Sequence, residues 1–600
     1  MVDRRVVGVS ALGVLVAIAA ALVAQCLTLL IGVITNLAFY GRISTAFVDP
    51  AGATPRWWWV LVPVIGGLVV GIMARFGSSA IRGHGIPEVM ERVLHGESRI
   101  PARLMFLKPL SAAIAIGTGG PFGAEGPIIA TGGALGSLVG QSVRVSAEER
   151  KVLLASGAAA GMAATFGTPV AAVLLAVELL LFEYRARSLV PVALASVAAT
   201  AVRAAFVGRA PMFPMPILAE PSASALVAYT IVGVAVGFVA VGVTRTVYAV
   251  EDVFARLPLH WMWWPALGAG VVGAIGVLEP RSLGVGYDNI REILAGGLVG
   301  RALLALVLLK FVSWVIYLGS GTSGGTLAPL FTFGGGLGGM LGVTAAAWWP
   351  DLGVDPRVAA LVGMSAMFTG ASHALLASVV FAFETTRQPL GLLPLLAGSS
   401  AAYLVALLSM RTSIMTEKLA RRGSHVGTEY TTDFLATVLV RAAASTDVIC
   451  LPGPQRLQDA RGWVLRGGPG SSHQGFPVVD AQNRLVGVLT RRDLFGAHPE
   501  EVQVVSLVHR FPAIVYEDNS LREAADHMVR EGVGRLVVVR RDAPRQIVGI
   551  LTRSDLLEAH AHRLRSHDPG LVQPAPVPSA GGKPCADGDA LSHASQEQTS

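Results

Sequence analysis

Gly117-Thr118-Gly119-Gly120-Pro121-Phe122-Gly123-Ala124-Glu125-Gly126-Pro127 sets one carboxylate among glycines inside an otherwise apolar region. A carboxylate at membrane depth is costly, and where one is kept it marks a proton or ion pathway by default. The glycines leave backbone N–H groups able to face an anion, and Pro127 suits the first turn of a following helix. Glu125 is therefore expected where an anion could also sit. The plainer alternative is a salt-bridged helix cap.

Working outward, the 600 residues are 52% hydrophobic and 14% charged, with a mean hydropathy of +0.58, too apolar for an ordinary soluble protein. The chain reads as a multi-pass membrane protein. Its first apolar run, 6–40, is longer than a signal-peptide core and shows no cleavage site, so it is expected to persist as the first helix. Cys26, Cys450 and Cys585 have neither metal-ligand nor disulfide spacing. The formal charge of +7 calls for no nucleic-acid partner, because Arg4, Arg5, Arg421, Arg422 and the arginine-rich C-terminal part fit a positive-inside topology with both termini cytoplasmic.

Residues 1–422 carry long apolar stretches at 57–76, 223–250 and 390–410, and shorter ones at 128–139 and 330–341 that read as too short to span alone. Interrupted helices of this kind are tolerated where they line a cavity inside protein. Tryptophans at 57–59, 261, 263, 264, 348 and 349 lie at stretch ends and are expected to anchor depth.

An internal repeat is visible directly. Pro127-x4-Gly132-Gly133-x-Leu135-Gly136-x3-Gly140 recurs as Pro329-x4-Gly334-Gly335-x-Leu337-Gly338-x3-Gly342, a shift of 202 residues. The same shift carries Gly161-Met162-Ala163-Ala164-Thr165-Phe166 onto Gly363-Met364-Ser365-Ala366-Met367-Phe368, and each copy leads into an apolar helix ending in Glu178 or Glu384. The organisation expected is a first half (1–208), a Pro-rich joint (209–222) and a second half (223–422), with a substrate site at the midplane between halves.

Beyond Arg422 the composition turns polar. Gly475-Phe476-Pro477-Val478-Val479 leads to Leu485-Val486-Gly487-Val488-Leu489-Thr490, and Arg535-Leu536-Val537-Val538-Val539 leads to Ile547-Val548-Gly549-Ile550-Leu551-Thr552, the two threonines 62 residues apart. Alternating β-branched runs followed by polar helix starts describe two small α/β modules, 423–500 and 501–565. The tail, 566–600, is too poor in apolar residues to fold.

With the repeat, the Gly-Ala-Glu-Gly-Pro element and the paired modules in view, the chain resembles the CLC family of chloride channels and chloride/proton exchangers over about residues 5–422. The resemblance rests on Gly83-His84-Gly85-Ile86-Pro87, Gly123-Ala124-Glu125-Gly126-Pro127, Gly324-Gly325-Thr326-Leu327-Ala328-Pro329 and Ser413-Ile414-Met415-Thr416-Glu417-Lys418, in the family's order, with Lys108 at the family's spacing. The tail resembles a tandem CBS pair. The resemblance implies a mainly α polytopic membrane protein of two inverted halves, with about 18 helices of which many do not fully span, followed by a cytoplasmic α/β CBS pair. It implies a homodimer in the lipid bilayer of a bacterial inner membrane, one pore per subunit, carrying chloride or another small anion (nitrate, bromide, fluoride) and protons. Bound chloride ions are expected, and no cofactor is required.

By that correspondence Glu125 is the gate, filling the outer anion position when ionised and swinging away when protonated. Gly85, Ile86, Gly123, Ala124, Gly126, Thr326 and Leu327 surround the anions. Helix-end partial charges and free N–H groups would replace water around chloride without a full positive charge that would trap it. Three departures concern the inner half of the pathway. His84 stands where most members have a serine, and Met415, which offers an anion no strong donor, where they have a tyrosine. Leu179 stands where exchangers commonly carry a proton-relaying glutamate, which leaves Glu178 and Glu183 as substitutes and tilts the reading toward a channel or a loosely coupled exchanger. The His84 imidazole is read as a donor to the central anion, against the plainer alternative of a hydrogen-bonded structural histidine.

In the CBS-like pair, Thr490 with Asp493 and Thr552 with Asp555 could each hold the ribose of an adenine nucleotide, or merely cap helices. Two readings from other classes are weaker. An intramembrane serine protease would use Ser323 in Gly321-Thr322-Ser323-Gly324 with His373 as base, but the repeat aligns Ser323's neighbourhood with that of Glu125. A divalent-cation transporter would need acidic clusters in the membrane part, which the sequence lacks. The chain is read as no enzyme.

Overall fold

The computed structural model describes residues 5–216, 218–423, 434–467 and 470–567, and it divides into two units, 1–430 and 431–600. The tail expected at 566–600 lies almost wholly outside the described residues.

The first unit is helical and repeats its element order. The first half contains α1 (Arg5–Thr35), α2 (Leu61–Ile72), α3 (Ile86–His95), α4 (Leu104–Gly117), α5 (Glu125–Ser142), α6 (Ala147–Phe166), α7 (Pro169–Ala176) and α8 (Ala186–Val207). The second half follows with α9 (Ala223–Ala255), α10 (Trp264–Leu278), α11 (Tyr287–Ala295), α12 (Gly300–Gly319), α13 (Leu327–Trp348), α14 (Pro356–Ser372), α15 (Leu375–Thr386) and α16 (Leu392–Ser409), and α17 (Glu417–Arg421) closes the unit. Eight helical segments among the described residues are long and apolar enough to cross a membrane. The chain is an integral, multi-pass membrane protein.

The glycine repeat sets how the halves pack. α5 lies along α6 and α13 along α14, with backbones in contact: a Cβ on Gly132 would strike the Gly157 carbonyl, one on Gly334 the Gly363 carbonyl, and the reverse holds for Gly157 and Gly363. Small residues at helix seams permit this approach where lipid gives no hydrophobic drive for association. The expectation that 330–341 is too short to span alone needs correction, since α13 is long and apolar enough to cross, whereas α5 is not among the helices that are. The 18 residues of α5 and 22 of α13 run through their glycines without interruption. At 1.5 Å per residue α13 reaches about 33 Å. Glycine breaks an exposed helix, but here it is what lets two buried helices touch.

A crosswise exchange of caps ties the halves together. Glu178 accepts from the Leu376 and Ala377 N–H groups, at 3.0 Å each, on the first turn of α15. Glu384 accepts from Val170 and Ala171, at 3.1 and 2.8 Å, on the first turn of α7. Each half thus supplies a carboxylate to the N-terminus of the other half's helix, where orphan N–H groups and the helix dipole favour it. The tryptophans do more than anchor depth. Trp59 is buried edge-on to Phe39 at 5.0 Å, and Trp261 and Trp264 hold the Arg82 guanidinium at 4.9 and 5.5 Å. Ring faces stabilise a cation held over them.

The second unit holds two matching three-stranded sheets: β1 (Leu451–Pro452), β2 (Gly475–Val479) and β3 (Leu485–Thr490), then β4 (Ile514–Tyr516), β5 (Arg535–Val539) and β6 (Ile547–Thr552). In each the first pair is parallel, the second antiparallel, with a register shift at Val478/Val479 and again at Val538/Val539. The modules share their edges: Ser445 bridges Ile550, Leu439 bridges Ser520, and the Leu457 N–H donates to the Val502 carbonyl. Each module's core is thus completed by a segment that precedes the other.

Candidate functional site

Three glycine-bearing loops meet where α3, α5 and α13 begin. Gly123 and Gly325 exchange backbone bonds (N–H to O 3.2 and 2.9 Å), and Gly83 donates to the Thr322 carbonyl at 2.8 Å. These short bridges join the first half to the second and hold three helix N-termini together. A Cβ on Gly126 would meet the His84 carbonyl, so only glycine lets α3 and α5 start this close. Convergent N-termini concentrate positive partial charge and unpaired N–H groups.

Glu125 sits in this junction, 0% exposed, its carboxylate in the space that a Cβ on Gly123 or Gly325 would occupy. Oε1 accepts from the Tyr287 hydroxyl at 2.9 Å, and Oε2 has no partner among the described residues. The salt-bridged cap that was the plainer alternative is not formed: no cation pairs with this carboxylate among the described residues. Thr326, buried as N-cap of α13, also leaves its hydroxyl unpaired. A buried polar atom without a partner asks for an ion or a water.

His84 is 3% exposed, and neither ring nitrogen completes a hydrogen bond. The ring lies beside the Ile414 carbonyl, which already accepts from Tyr248 OH at 2.7 Å. Met415 is buried next to Ile414, its N–H donating to Ser413 Oγ at 3.2 Å. The Gly85 N–H is committed to Glu88 Oε2 at 2.8 Å, leaving the N–H groups from Ile86 onward for an anion. Lys108 Nζ donates to the Ile81 and Gly83 carbonyls, at 2.8 Å each, and so fixes the loop that carries His84. From Gly85 a cavity of about 530 Å³ opens past Lys108, Arg82 and Lys418, lined by six basic and three acidic side chains. That balance raises the local concentration of anions at its mouth.

The remaining candidates are dispersed. Both Glu178 oxygens are occupied by the α15 cap, Leu179 is buried, and Glu183 accepts from Ser188 Oγ at 2.5 Å beside Arg185 at 3.6 Å. Ser323 accepts from Ser111 at 3.2 Å, whereas His373 lies edge-on to Tyr403 with Nε2 unpaired, so no nucleophile–base hydrogen bond joins Ser323 to His373. In the second unit Thr490 and Asp493 bond each other, as do Thr552 and Asp555, in matching helix caps. Burial pushes the Asp493 carboxyl up, but the Thr490 N–H and O–H outweigh it and hold it below the usual carboxylate range. That cap is present at neutral pH and is lost on acidification through the lowered titration. Thr552 and Asp555 also line a cavity of about 450 Å³, with His473, Arg535 and Arg553.

The family model for the voltage gated chloride channel matches residues 65–407, more than half of the chain. The chain belongs to the CLC family. The CBS-domain model matches 440–500 and 504–562, so this is a CLC protein with a C-terminal CBS pair. Among its relatives, a putative chloride channel protein ClcB-like of Ralstonia nicotianae is 28% identical over 62% of this chain and 88% of its own. The H(+)/Cl(-) exchange transporter ClcA of Cronobacter sakazakii is 32% identical over 56% and 73%. A slow cyanobacterial Cl−/H+ antiporter superposes with a TM-score of 0.61 at 23% identity, over 68% of this chain and 98% of its own. A eukaryotic CLC transporter superposes at 0.57 and 19% identity, over 91% and 97%. These two likenesses concern the CLC fold alone.

Sequence reasoning missed Tyr287, Tyr248 and Lys310. A signal for two of them was present: the 202-residue shift carries Lys108 onto Lys310, and a shift one residue shorter carries the Gly-x-Gly before α3 onto the Gly284-Val285-Gly286 before α11. Lys310 Nζ repeats the role of its counterpart, donating to the Ser282 and Gly284 carbonyls at 3.1 and 3.0 Å.

Proposed function

We propose that the protein carries small anions, chloride first, across a membrane through the junction of α3, α5 and α13, with Glu125 as its gate. The observation that carries this reading is a fully buried carboxylate held between Gly123 and Gly325, with one oxygen unpaired, where helix N-termini of both halves converge. Ionised, the carboxylate takes the place of an anion among those N–H groups; protonated, it gives that place up. The chloride/proton exchange named for the ClcA relative supports proton coupling. Leu179 and the capped Glu178 favour a channel or a loosely coupled exchanger, since both Glu178 oxygens are taken by the N-terminus of α15. Reconstitution in liposomes with chloride efflux and proton uptake recorded together tests the reading. A reversal potential indifferent to the pH gradient identifies a channel, and absence of anion flux under any gradient overturns the proposal. Further elements of it are a homodimer, a bacterial inner-membrane location and cytoplasmic termini.

His84 is assigned to the central anion, because its ring nitrogens are buried and unpaired next to free N–H groups of α3. His84→Ser is expected to change the chloride-to-nitrate flux ratio severalfold, since a hydroxyl replaces the ring nitrogens beside the anion. Unchanged selectivity removes His84 from the site.

The CBS pair is proposed to bind one adenine nucleotide, at the cavity beside Thr552 and Asp555. The Asp555 Oδ2 is taken by Thr552, which leaves Oδ1 for a ribose hydroxyl, and Arg535 and Arg553 supply positive charge for phosphates. Calorimetry with ATP, ADP and AMP is expected to give a single site, weakened tenfold or more in Asp555→Ala and unaltered in Asp493→Ala. Equal loss in both variants would argue for a structural cap instead.

A further inference from the structure

The gating carboxylate has a partner from the other half of the chain, and that contact assigns different work to its two oxygens. Tyr287 opens α11 and is 8% exposed. Its hydroxyl donates to Glu125 Oε1 at 2.9 Å, across 162 residues of sequence. The ring is fixed by three others from separate segments: Phe47, stacked at 6.0 Å; Phe166, edge-on at 6.0 Å; and Phe213, tilted at 6.1 Å. Aromatic contacts of this kind hold a ring plane, so the hydroxyl has little freedom to seek another acceptor. Below the ring, Lys310 pins the 282–284 loop through two carbonyls, as Lys108 pins the loop of His84.

Resting on the gate reading above, we propose that Tyr287 is a positioning residue that latches Glu125 through Oε1 and leaves Oε2 as the oxygen that takes up the proton. A hydroxyl that donates to a carboxylate favours its charged form. Tyr287 therefore holds the gate in its closed, ionised pose, and protonation of Oε2 releases it. Other charged groups on the surrounding elements are engaged elsewhere. Glu88 on α3 accepts from Gly85, Lys108 on α4 and Lys310 on α12 are bound to carbonyls, and Asp288 pairs with Arg291 on α11. The charges that open α6, 148–151, lie against the far end of α5, and Arg5 on α1 pairs with Glu149 there. His84, ahead of α3, is without a hydrogen bond to Glu125. Phe47 is 42% exposed and covers the Tyr287 ring, so the latch has one face that can be loosened without entering the core.

The test is chloride efflux against pH for the full-length protein in liposomes. Tyr287→Phe keeps the ring and removes the donor. A hydrogen bond to a charged group is worth enough to move the pH of half-maximal flux upward by about one unit. Flux at neutral pH rises severalfold accordingly. In a Glu125→Gln background the same substitution has no effect on the pH profile. Phe47→Ala, which frees the ring from outside, is expected to shift the profile in the same direction by less, and it serves if Tyr287→Phe folds poorly. An unmoved midpoint in both single variants, or an equal shift in the Glu125→Gln background, overturns the latch. The two proposals fail separately: a Glu125→Gln protein with the wild-type pH profile sinks the gate itself, whereas a flat Glu125→Gln profile with an unmoved Tyr287→Phe midpoint sinks only the latch.

Discussion

Glutamine at position 125 is expected to leave a protein that passes chloride at a rate independent of pH and moves no proton in exchange. The side chain has the same length and shape, so the Gly123/Gly325 bridge and the contact with Tyr287 have no steric reason to change. What is lost is the charge. An ionised carboxylate competes with chloride for the same N–H groups, and a neutral amide does not. Each pH unit above the wild-type midpoint lowers the protonated, open fraction about tenfold. At two units above it, the variant is therefore expected to conduct on the order of a hundredfold faster than the wild type. Paired recording of chloride efflux and proton uptake reads both consequences in one experiment. Retained proton transport in the variant would mean that another group carries the proton, and the burial of Glu125 would then need a different explanation.

How much of this was legible in the sequence follows from what a repeat encodes. Glycine registers shifted by 202 residues expose two related halves and identify Glu125 as the one carboxylate at a helix start among them. They do not say how the halves face each other. The contacts that define the site join residues 162 to 239 positions apart: Tyr287 to Glu125, Glu178 to Leu376, Glu384 to Val170, Arg82 to Gly321. None of these pairs has a local signature. Glu178 illustrates the difficulty, because a carboxylate near the end of an apolar helix reads equally as a proton carrier and as a cap until its partner is seen. In the CBS pair, Thr490 and Thr552 have the same sequence context, and the cavity that Thr552 lines is visible only in the packing.

The same repeat makes a prediction that separates two adjacent glycines. Gly132→Ala is expected to destabilise the protein by about 1–3 kcal/mol, the usual cost of forcing a methyl into a packed seam. The neighbouring Gly133→Ala is expected to be neutral or stabilising. A Cβ on Gly132 would strike the Gly157 carbonyl, and a backbone cannot yield as a flexible side chain does. A Cβ on Gly133 meets nothing nearer than 3.7 Å, so the alanine keeps the gain of up to about 1 kcal/mol that it has over glycine within a helix. The second half repeats the contrast: Gly334→Ala runs into the Gly363 carbonyl, whereas Gly335→Ala finds its nearest neighbour at 3.5 Å, in the Ile293 side chain. Thermal unfolding in detergent, followed by the fraction that stays monodisperse, checks all four variants. Leucine at 132 or 334 should prevent assembly outright, since no rearrangement of side chains can make room for it between two backbones. If Gly133→Ala proved as damaging as Gly132→Ala, both glycines would be acting through helix flexibility, and the α5–α6 contact would not be what holds α5 over the anion site.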